Sequence, residues 1–264
     1  MLVCRLTATA QEEHWDTYMA RYGEKPGSVL VDMALMSIAP DRKYPYLLIT
    51  GPHSQNCGKQ GIPANEDIAD LEGILDATTN FVTGVTAKVL TGTFTYNCDR
   101  LNYYYIKDTM GVRNALGRMY SRSYGTYNYT IKIKHDPEWV SYRSFLYPDS
   151  ATARWMEYNR KVTGMMELGD SLTKQRDINF EAYFRSDSDR NGFAGFAAGK
   201  GYKQTKAMLQ EGAAAPYKIV VSKFGYVKMD MILAGESELA EAVKKYHGIY
   251  NGWDAPLSSL TNKK

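Results

Sequence analysis

Cysteine and histidine are scarce in this sequence, and their spacing excludes the common metal-binding motifs. The chain of 264 residues contains three cysteines and four histidines. Cys4, Cys57 and Cys98 form no CxxC pair and no spacing that is typical of zinc ligands. The histidines lie in separate segments, with no HExxH motif and no paired histidine–carboxylate spacing. We therefore expect neither a resident metal nor another cofactor.

Long apolar runs are also absent. No run approaches the roughly 18 residues that a membrane-spanning helix needs, so we expect no membrane span. Near the N-terminus, Ala8-Thr9-Ala10 resembles a signal-peptidase site, but the preceding Met1–Thr7 is too short for a signal sequence and contains an arginine. Two readings remain open: a cytoplasmic N-terminus, or a late start at Met1 within a signal peptide that is cleaved after Ala10.

The two readings differ in compartment and in the state of the cysteines. A cytoplasmic chain would keep its cysteines as buried or indifferent thiols. An exported chain would be periplasmic or secreted and would retain Cys57 and Cys98 after cleavage. A disulfide between these two cysteines is expected in the exported case.

A strong net charge is missing as well. The formal net charge is +3, with 14 basic and 13 acidic residues in positions 1–134 and 18 basic and 16 acidic residues in positions 135–264. The two halves therefore carry +1 and +2. Neither half has the composition of a general polyanion-binding domain.

The chain contains enough apolar and aromatic residues to form the cores of two folded domains. Hydrophobic residues make up 44% of the sequence, and 21 residues are tyrosine. A chain of this length suffices for two domains of about 130 residues each. Tyrosine favours half-buried pleated surfaces, so we expect substantial β-sheet.

The first half begins with a predicted helix and a predicted strand. Glu12–Tyr22 places Trp15, Tyr18 and Met19 on one helical face, which favours a short helix. Ser28–Met36 alternates between apolar and polar residues, which is typical of a strand.

From Tyr46 onward the predicted order is β-α-β-β-α-β, the ferredoxin-like order. The segments that carry it are a strand at Tyr46–Ile49, a helix capped by Asn65, strands at Val85–Tyr96 and Leu101–Ile106, a helix at Val112–Tyr120, and a strand at Tyr127–Ile133.

A packed linker is predicted at 135–149, between a domain at 1–134 and a domain at 150–264. This stretch has two prolines and no clear period, and its aromatic residues favour packing over a loose tether. After one helix that carries Trp155, the second half repeats the β-α-β-β-α-β order, with its last helix capped by Ser237.

The predicted fold class is therefore α+β. We expect two tandem ferredoxin-like βαββαβ sandwiches, each with an antiparallel sheet and helices on one face. The other face of each sheet would remain available for a partner, a ligand or the sister domain.

Three motifs suggest chemistry, and each has a simpler explanation. Asp187–Gly192 matches the start of a calcium loop, but Ala198 occupies the twelfth position, where a bidentate carboxylate is required. We therefore expect these polar residues to cap a helix.

Gly192–Gly201 has neither dinucleotide-binding nor P-loop spacing, and we interpret its small residues as allowing close helix–sheet packing. Gly51–Gln60 also fails as a P-loop, although it places His53 near Cys57 as a conceivable nucleophile pair.

A fourth signal is a basic, tyrosine-rich stretch at Thr109–Lys134. It has four tyrosines and no acidic residue. Basic and aromatic residues in this mixture could bind single-stranded nucleic acid through phosphate contacts and base stacking. The simpler reading is a helix and a strand with a tyrosine core face and solvated cations. The candidate binding residues are Arg113, Arg118, Arg122, Lys132 and Lys134.

The second half resembles the regulator of ribonuclease E activity B. The residues that carry the resemblance are Ile178–Phe184, Gly192–Tyr202 and the ending Gly248–Trp253, in which Asn251 stands where the family pattern has aspartate. The resemblance implies a ferredoxin-like fold, a non-catalytic inhibitor role and ribonuclease E as the protein partner. Within the ending, possible partner-contacting residues are Tyr250, Asn251, Gly252 and Trp253.

The first half resembles an uncharacterised family, domain of unknown function 695. The segments that carry this resemblance are Pro26–Ser28, Tyr44–Leu48, Gly61–Pro63, Asp136–Trp139 and Leu146–Pro148.

Taken together, these features predict a non-catalytic interaction or regulatory protein. The alternatives are a nucleic-acid-binding protein that uses the basic stretch, a thiol enzyme that uses His53 and Cys57, and an exported protein with an unrelated binding function.

Overall fold

The structure is a computed structural model that describes residues 13–258. The chain divides into two compact units, the first ending at Thr152 and the second beginning at Ala153. The signal-peptidase-like site at Ala8–Ala10 and Cys4 lie outside the described residues.

The first unit contains six strands and two helices of its own among the described residues. Their bounds are β1 (Trp15–Tyr22), β2 (Lys25–Asp32), β3 (Tyr46–Pro52), α1 (Asn65–Val85), β4 (Lys88–Tyr96), β5 (Asp99–Ile106), α2 (Val112–Ser123) and β6 (Tyr129–His135). A 3-10 turn covers Met33–Ser37, a π-turn covers Tyr142–Leu146, and α3 (Ser150–Glu167) follows.

The six strands form one antiparallel sheet in the order β1-β2-β4-β5-β3-β6. The part β4-β5-β3-β6 has the ferredoxin-like strand order, and the hairpin β1–β2 extends it beyond β4. Both helices cover the same face. Leu48 and Tyr104 of the sheet share one buried cluster with Ile74 of α1 and with Leu116 and Tyr120 of α2.

The opposite face of this sheet is covered by aromatic residues of the segment 136–147. The Trp139 ring stacks on Tyr105 with centroids 4.2 Å apart, and its indole nitrogen donates a hydrogen bond to the carbonyl oxygen of Tyr44. Phe145 packs edge-on against Phe94 at 5.0 Å. The domain limits at 134 and 149 stay a prediction, but these aromatic side chains complete the core of the first unit.

The predicted helix at 12–22 is wrong for its described part, which is strand β1. Trp15 to Tyr22 pair residue by residue with β2, from Trp15 opposite Asp32 to Tyr22 opposite Lys25. Tyr18 is buried on the face that carries the aromatic segment, whereas the side chain of Met19 points to solvent. Cross-strand pairing overrides a helical pattern this short, because the apolar residues that define it, Trp15, Tyr18 and Met19, span little more than one turn.

The predicted strand at Ser28–Met36 is confirmed up to Asp32 and wrong beyond it. Asp32 caps the 3-10 turn that follows, and its carboxylate accepts hydrogen bonds from the backbone N–H groups of Ala34 and His14, each at 3.0 Å. Aspartate competes with strand pairing in this way, and the chain turns where it is capped.

The second unit repeats the ferredoxin-like order. Its elements after α3 are β7 (Arg176–Phe184), α4 (Asp187–Gly199), β8 (Lys203–Leu209), β9 (Tyr217–Gly225), α5 (Met229–Lys245) and β10 (Ile249–Asp254). The antiparallel sheet has the order β10-β7-β9-β8. The predicted α+β fold class, with two antiparallel sheets and helices packed against them, is confirmed.

One core supports the second unit on the helix side of its sheet. Ile178, Phe180 and Phe184 alternate inward along β7 and meet buried residues of α4 and α5 such as Phe193 and Leu239. The same alternation directs Asp177, Asn179, Glu181 and Tyr183 to the opposite face.

The predicted start of the last helix at Ser237 is wrong. α5 begins at Met229, and Lys228 occupies the N-cap position without a side-chain capping bond. The buried stripe already starts at Ile232, one turn and more before Ser237, so core packing rather than a capping residue sets the start of the helix.

The interpretation of the glycine-rich stretch is also corrected. A Cβ atom at Gly192 would come within 2.7 Å of the Tyr246 ring in the turn after α5. A Cβ atom at Gly195, Gly199 or Gly201 would meet no other atom within 4 Å. Only Gly192 therefore serves close packing, and it packs against Tyr246 rather than against the sheet.

Candidate functional site

The ending Tyr250–Trp253 forms the edge strand β10 and contains a bulge. Tyr250 lies opposite Ala182 and Trp253 lies opposite Phe180, both of which face the helix-packed core. Gly252 adopts a φ of +93° between them, a conformation that favours glycine. The bulge therefore lets both aromatic side chains face the core although only two residues separate them.

Trp253 serves as a structural anchor. Its side chain is buried, and its ring centroid lies 6.0 Å from that of Tyr158 in α3. Lys161 donates a hydrogen bond to the backbone oxygen of Trp253 at 2.7 Å and places its ammonium 5.1 Å from the centre of the indole ring. Removing this ring would leave a cavity where α3 meets β10.

Tyr250 is held by a buried carboxyl group. Its hydroxyl donates a hydrogen bond to Glu236 at 3.2 Å. Burial raises the pKa of Tyr250, and the nearby Glu236 raises it further. Burial also raises the pKa of Glu236, with a smaller contribution from Glu157. Of the four residues predicted to contact a partner, Trp253 is thus buried in the core, and Tyr250 is partly buried against it.

Asn251 is different because it lies on the other side of the sheet. Its amide donates a hydrogen bond to Glu181 at 2.8 Å. Glu181 also accepts from the Tyr183 hydroxyl at 2.6 Å and pairs with Lys218 at 2.5 Å. Burial opposes ionisation of Glu181, but the hydrogen bonds from Lys218, Tyr183 and Asn251 outweigh it and hold its pKa below the ordinary value.

We call this side of the second sheet the open face. It combines a hydrogen-bonded polar centre with exposed apolar side chains: Phe224 is 64% exposed, Ile249 56% and Met208 49%. Strand register places them opposite Asp177, Tyr183 and Lys218 respectively, on the side away from the helices. The residues of the open face are Asp177, Asn179, Glu181, Tyr183, Lys206, Met208, Lys218, Val220, Ser222, Phe224, Ile249, Asn251 and Asp254.

The basic stretch of the first unit is divided by the fold. Arg113, Arg118 and Arg122 of α2 line a groove of about 720 Å³ together with Tyr129 and Ile131 of β6, and we call it the arginine groove. Ile131 and Ile133 pack toward the helix-covered core. The residues that alternate with them, Lys132 and Lys134, therefore lie on the other side of the sheet.

The loop between β3 and α1 is joined to the β4–β5 turn by a disulfide between Cys57 and Cys98, whose Cα atoms are 5.7 Å apart. This is the disulfide expected for an exported chain. His53 does not act on a thiol here, because its Nδ1 atom is bound to Asp99 at 2.9 Å and Cys57 has no free sulfur. The alternative of a His53–Cys57 nucleophile pair is therefore contradicted by the structure.

The calcium-like motif forms the start of α4. Ser186 is the N-cap residue and accepts a hydrogen bond from the backbone N–H of Asp189 at 3.1 Å. Asp187 pairs with Arg190 and accepts a hydrogen bond from Asn191. Across residues 13–258, no group of three or more histidine, cysteine, aspartate or glutamate side chains is arranged to hold a metal ion. Within the same range, no helix has the length and apolar character to span a membrane.

Sequence reasoning missed a second groove, of about 450 Å³, beside α1. Trp15, Leu30 and Arg100 line it from three different strands, and Asp76 lines it from α1. The guanidinium of Arg100 pairs with Glu72 at 3.1 Å, while its buried Nε atom has no hydrogen-bond partner among the described residues. No local motif could reveal this groove, because its lining is far apart in sequence and the β1–β2 hairpin was not recognised.

Two family models match successive parts of the chain. The model described as "Family of unknown function (DUF695)" matches residues 13–147, and the model described as "Regulator of ribonuclease activity B" matches residues 156–255. The domain order that the two resemblances predicted is thereby confirmed.

No curated protein matches the chain significantly. Among solved structures, the crystal structure of an unknown protein from Galdieria sulphuraria is similar over 81% of this chain and 99% of its own chain, with 10% identity and a TM-score of 0.23. A likeness this low carries no argument.

Proposed function

We propose that this chain, which belongs to the family of unknown function DUF695 and carries after it a domain of the regulator of ribonuclease activity B family, is a non-catalytic regulator. Its second domain binds a ribonuclease of the ribonuclease E type, and the open face is the binding surface.

The observation that carries the proposal is the composition of the open face. Stable interfaces combine apolar and aromatic side chains with polar groups that are already hydrogen-bonded, and they contain few unpaired charges at the centre. Phe224, Ile249 and Met208 supply exposed apolar surface. The central charges of Glu181 and Lys218 are paired with each other at 2.5 Å, so little charge would be buried unpaired.

In this proposal, the residues of the ending Tyr250–Trp253 have two different roles. Tyr250 and Trp253 anchor the edge strand, and Asn251 presents its amide on the open face. Aspartate, which the family pattern has at this position, could not donate the hydrogen bond that Asn251 gives to Glu181. Asparagine at position 251 therefore allows the edge strand to lie beside the carboxylate of Glu181 with a hydrogen bond instead of a repulsion between two carboxylates.

Binding of a purified ribonuclease E to the full chain tests the proposal. Phe224→Lys should weaken binding at least about tenfold, because it removes an exposed aromatic ring from the open face. Lysine is chosen because Asp177 is the cross-strand neighbour of Phe224 and tolerates a cation. Calorimetry would give the affinity, and the rate of RNA cleavage would report the inhibition.

Leu168→Lys is the matched control, since Leu168 is 66% exposed and directly follows α3, whose Tyr158 and Met165 pack into the core on the helix side of the sheet. It should bind like the unchanged protein. Equal weakening by both variants, or no binding of ribonuclease E by the unchanged chain, would contradict the proposal.

A second candidate function is an exported binding protein whose partner is not ribonuclease E. The Cys57–Cys98 disulfide favours it, because disulfides persist mainly in oxidising compartments. Alkylation of the protein inside its own cells separates the two candidates. Protection of both cysteines supports the exported protein, and modification of both supports the ribonuclease regulator.

A further inference from the structure

We propose that the arginine groove of the first domain binds single-stranded nucleic acid, with phosphates on its arginines and one base stacked on Tyr129. This site is separate from the open face and goes beyond the regulatory function proposed above.

The first observation is positive charge without internal counter-ions. Arg118 and Arg122 are at i and i+4 on α2, so their like charges lie side by side on one helix face. Neither forms an ion pair with any described residue, and the residues that line the groove include no carboxylate. An anion in the groove would relieve this repulsion.

Arg113 is fixed at the edge of the groove. One of its terminal N–H groups donates a hydrogen bond to the backbone oxygen of Ile131 at 2.8 Å. The guanidinium keeps further N–H groups for another acceptor, in the planar arrangement that suits phosphate oxygens. The guanidinium of Arg113 is therefore already oriented by Ile131 before a phosphate binds to its remaining N–H groups.

Tyr129 supplies the feature that distinguishes a nucleic acid from a simple anion. Its ring lies parallel to Tyr120 with centroids 4.6 Å apart and an interplanar angle of 13°. Tyr120 is fully buried, and its hydroxyl is hydrogen-bonded to Thr50 and Thr78 at 3.1 Å each. Tyr129 is 39% exposed and lines the groove, so its free surface lies on the side away from Tyr120.

This arrangement is a stacking platform with a rigid support. A planar base would continue the Tyr120–Tyr129 stack on the groove side, and such stacking is independent of base identity. An unpaired base is required, which favours a single strand over a duplex.

The experiment measures binding of a fluorescent single-stranded oligonucleotide of mixed sequence to the full chain, without any ribonuclease, over a range of salt concentrations. Arg118→Gln combined with Arg122→Gln should weaken binding at least about tenfold and should flatten the salt dependence, because fewer counter-ions are released. Lys132→Gln combined with Lys134→Gln removes the same amount of charge from the other side of the sheet and should change the affinity less than about twofold.

Tyr129→Leu tests the stacking separately. It should weaken binding about tenfold with little change in salt dependence, whereas Tyr129→Phe should bind like the unchanged protein. Thermal unfolding of every variant verifies that the fold is retained. If Tyr129→Leu unfolds, the comparison of the oligonucleotide with inorganic polyphosphate on the unchanged protein still tests the stacking.

Three results would overturn the proposal. The first is equal weakening by the arginine and lysine pairs. The second is inorganic polyphosphate binding as tightly as the oligonucleotide, with no effect of Tyr129→Leu. The third is displacement of the oligonucleotide by an equal concentration of polyglutamate, which would indicate a site for an acidic protein. Because no ribonuclease is present, none of these results bears on the open face.

Discussion

At the scale of single residues, the second unit contains a buried ion pair that contacts the segment after β10. Asp170 and Arg176 form a two-pronged contact, and both side chains are almost fully buried. Asp170 also accepts hydrogen bonds from the backbone N–H groups of Leu172 and Ser258, both at 2.8 Å. Arg176 donates to the backbone oxygen of Pro256 at 3.0 Å. The pair therefore holds the segment after β10 against the turn that precedes β7.

This pair predicts an acid-sensitive contribution to stability. The Arg176 guanidinium, together with donors from Ser258 and Leu172, holds the pKa of Asp170 well below its usual range. A carboxyl group with a lowered pKa in the folded state stabilises the fold above the unfolded pKa of about 3.9, and this stabilisation is lost as the pH falls below that value.

Asp170→Asn should destabilise the protein by about 3–5 kcal/mol at pH 7, because Arg176 would remain buried without its counter-ion. The difference between the two proteins should shrink as the pH falls through the range below about 4. Urea unfolding followed by circular dichroism at several pH values measures both effects. An unchanged difference at low pH would contradict this assignment.

At the scale of secondary-structure elements, the loop between β3 and α1 is the clearest case of tertiary restraint. The Cys57–Cys98 disulfide joins it to the β4–β5 turn, in which Asn97 and Cys98 both adopt positive φ values. The carboxylate of Asp67 in α1 accepts hydrogen bonds from Ser54 and Asn56, and these bonds lower its pKa. The predicted cap Asn65 does not make these contacts, because it is already the first residue of α1.

Removal of the disulfide should lower the stability of the first unit while the fold is kept. Cys57→Ser combined with Cys98→Ser should reduce the free energy of unfolding by about 2–4 kcal/mol, because the unfolded chain gains conformational freedom. Addition of a reductant should lower the stability of the unchanged protein to the same value. The reductant should leave the serine variant unaffected, and any further loss of its stability would point to a different cause.

The same scale explains which elements the sequence could predict. α2 was predicted from Val112 to Tyr120 and extends to Ser123, since its apolar stripe repeats over more than two turns. β1 was mispredicted, since its eight residues fit both a helical and a strand pattern and the pairing with β2 decides between them. Lys132 and Lys134 lie on the side of the sheet opposite to the arginine groove. The sequence itself predicts this, because the two lysines alternate with the apolar residues Ile131 and Ile133.

At the scale of the whole molecule, the extent of the first domain depends on a segment that looks like a linker. Trp139 and Tyr142 are fully buried against the sheet face opposite to α1 and α2. The Tyr142 hydroxyl donates a hydrogen bond to the backbone oxygen of Asp32 at 2.8 Å, and the Tyr105 hydroxyl donates to Asp136 at 2.8 Å. We propose that the first domain includes this segment.

Two fragments test this proposal. A fragment of residues 1–152 should unfold cooperatively in urea. A fragment of residues 1–134 should lose that cooperativity and bind the dye ANS, because one face of its sheet would be exposed. Cooperative unfolding of the shorter fragment with the same midpoint would place the boundary before the aromatic segment.

The sequence by itself determined the α+β class, the repeated β-α-β-β-α-β order and the two family resemblances. These depend on local periodicity and on short segments, which neighbouring residues define. Only the tertiary structure decided the strand β1, the role of Trp139 and the second groove. It also decided which residues of Tyr250–Trp253 reach the open face. Each of these depends on groups that are distant in sequence, and the free energy of bringing them together has no counterpart in a local pattern.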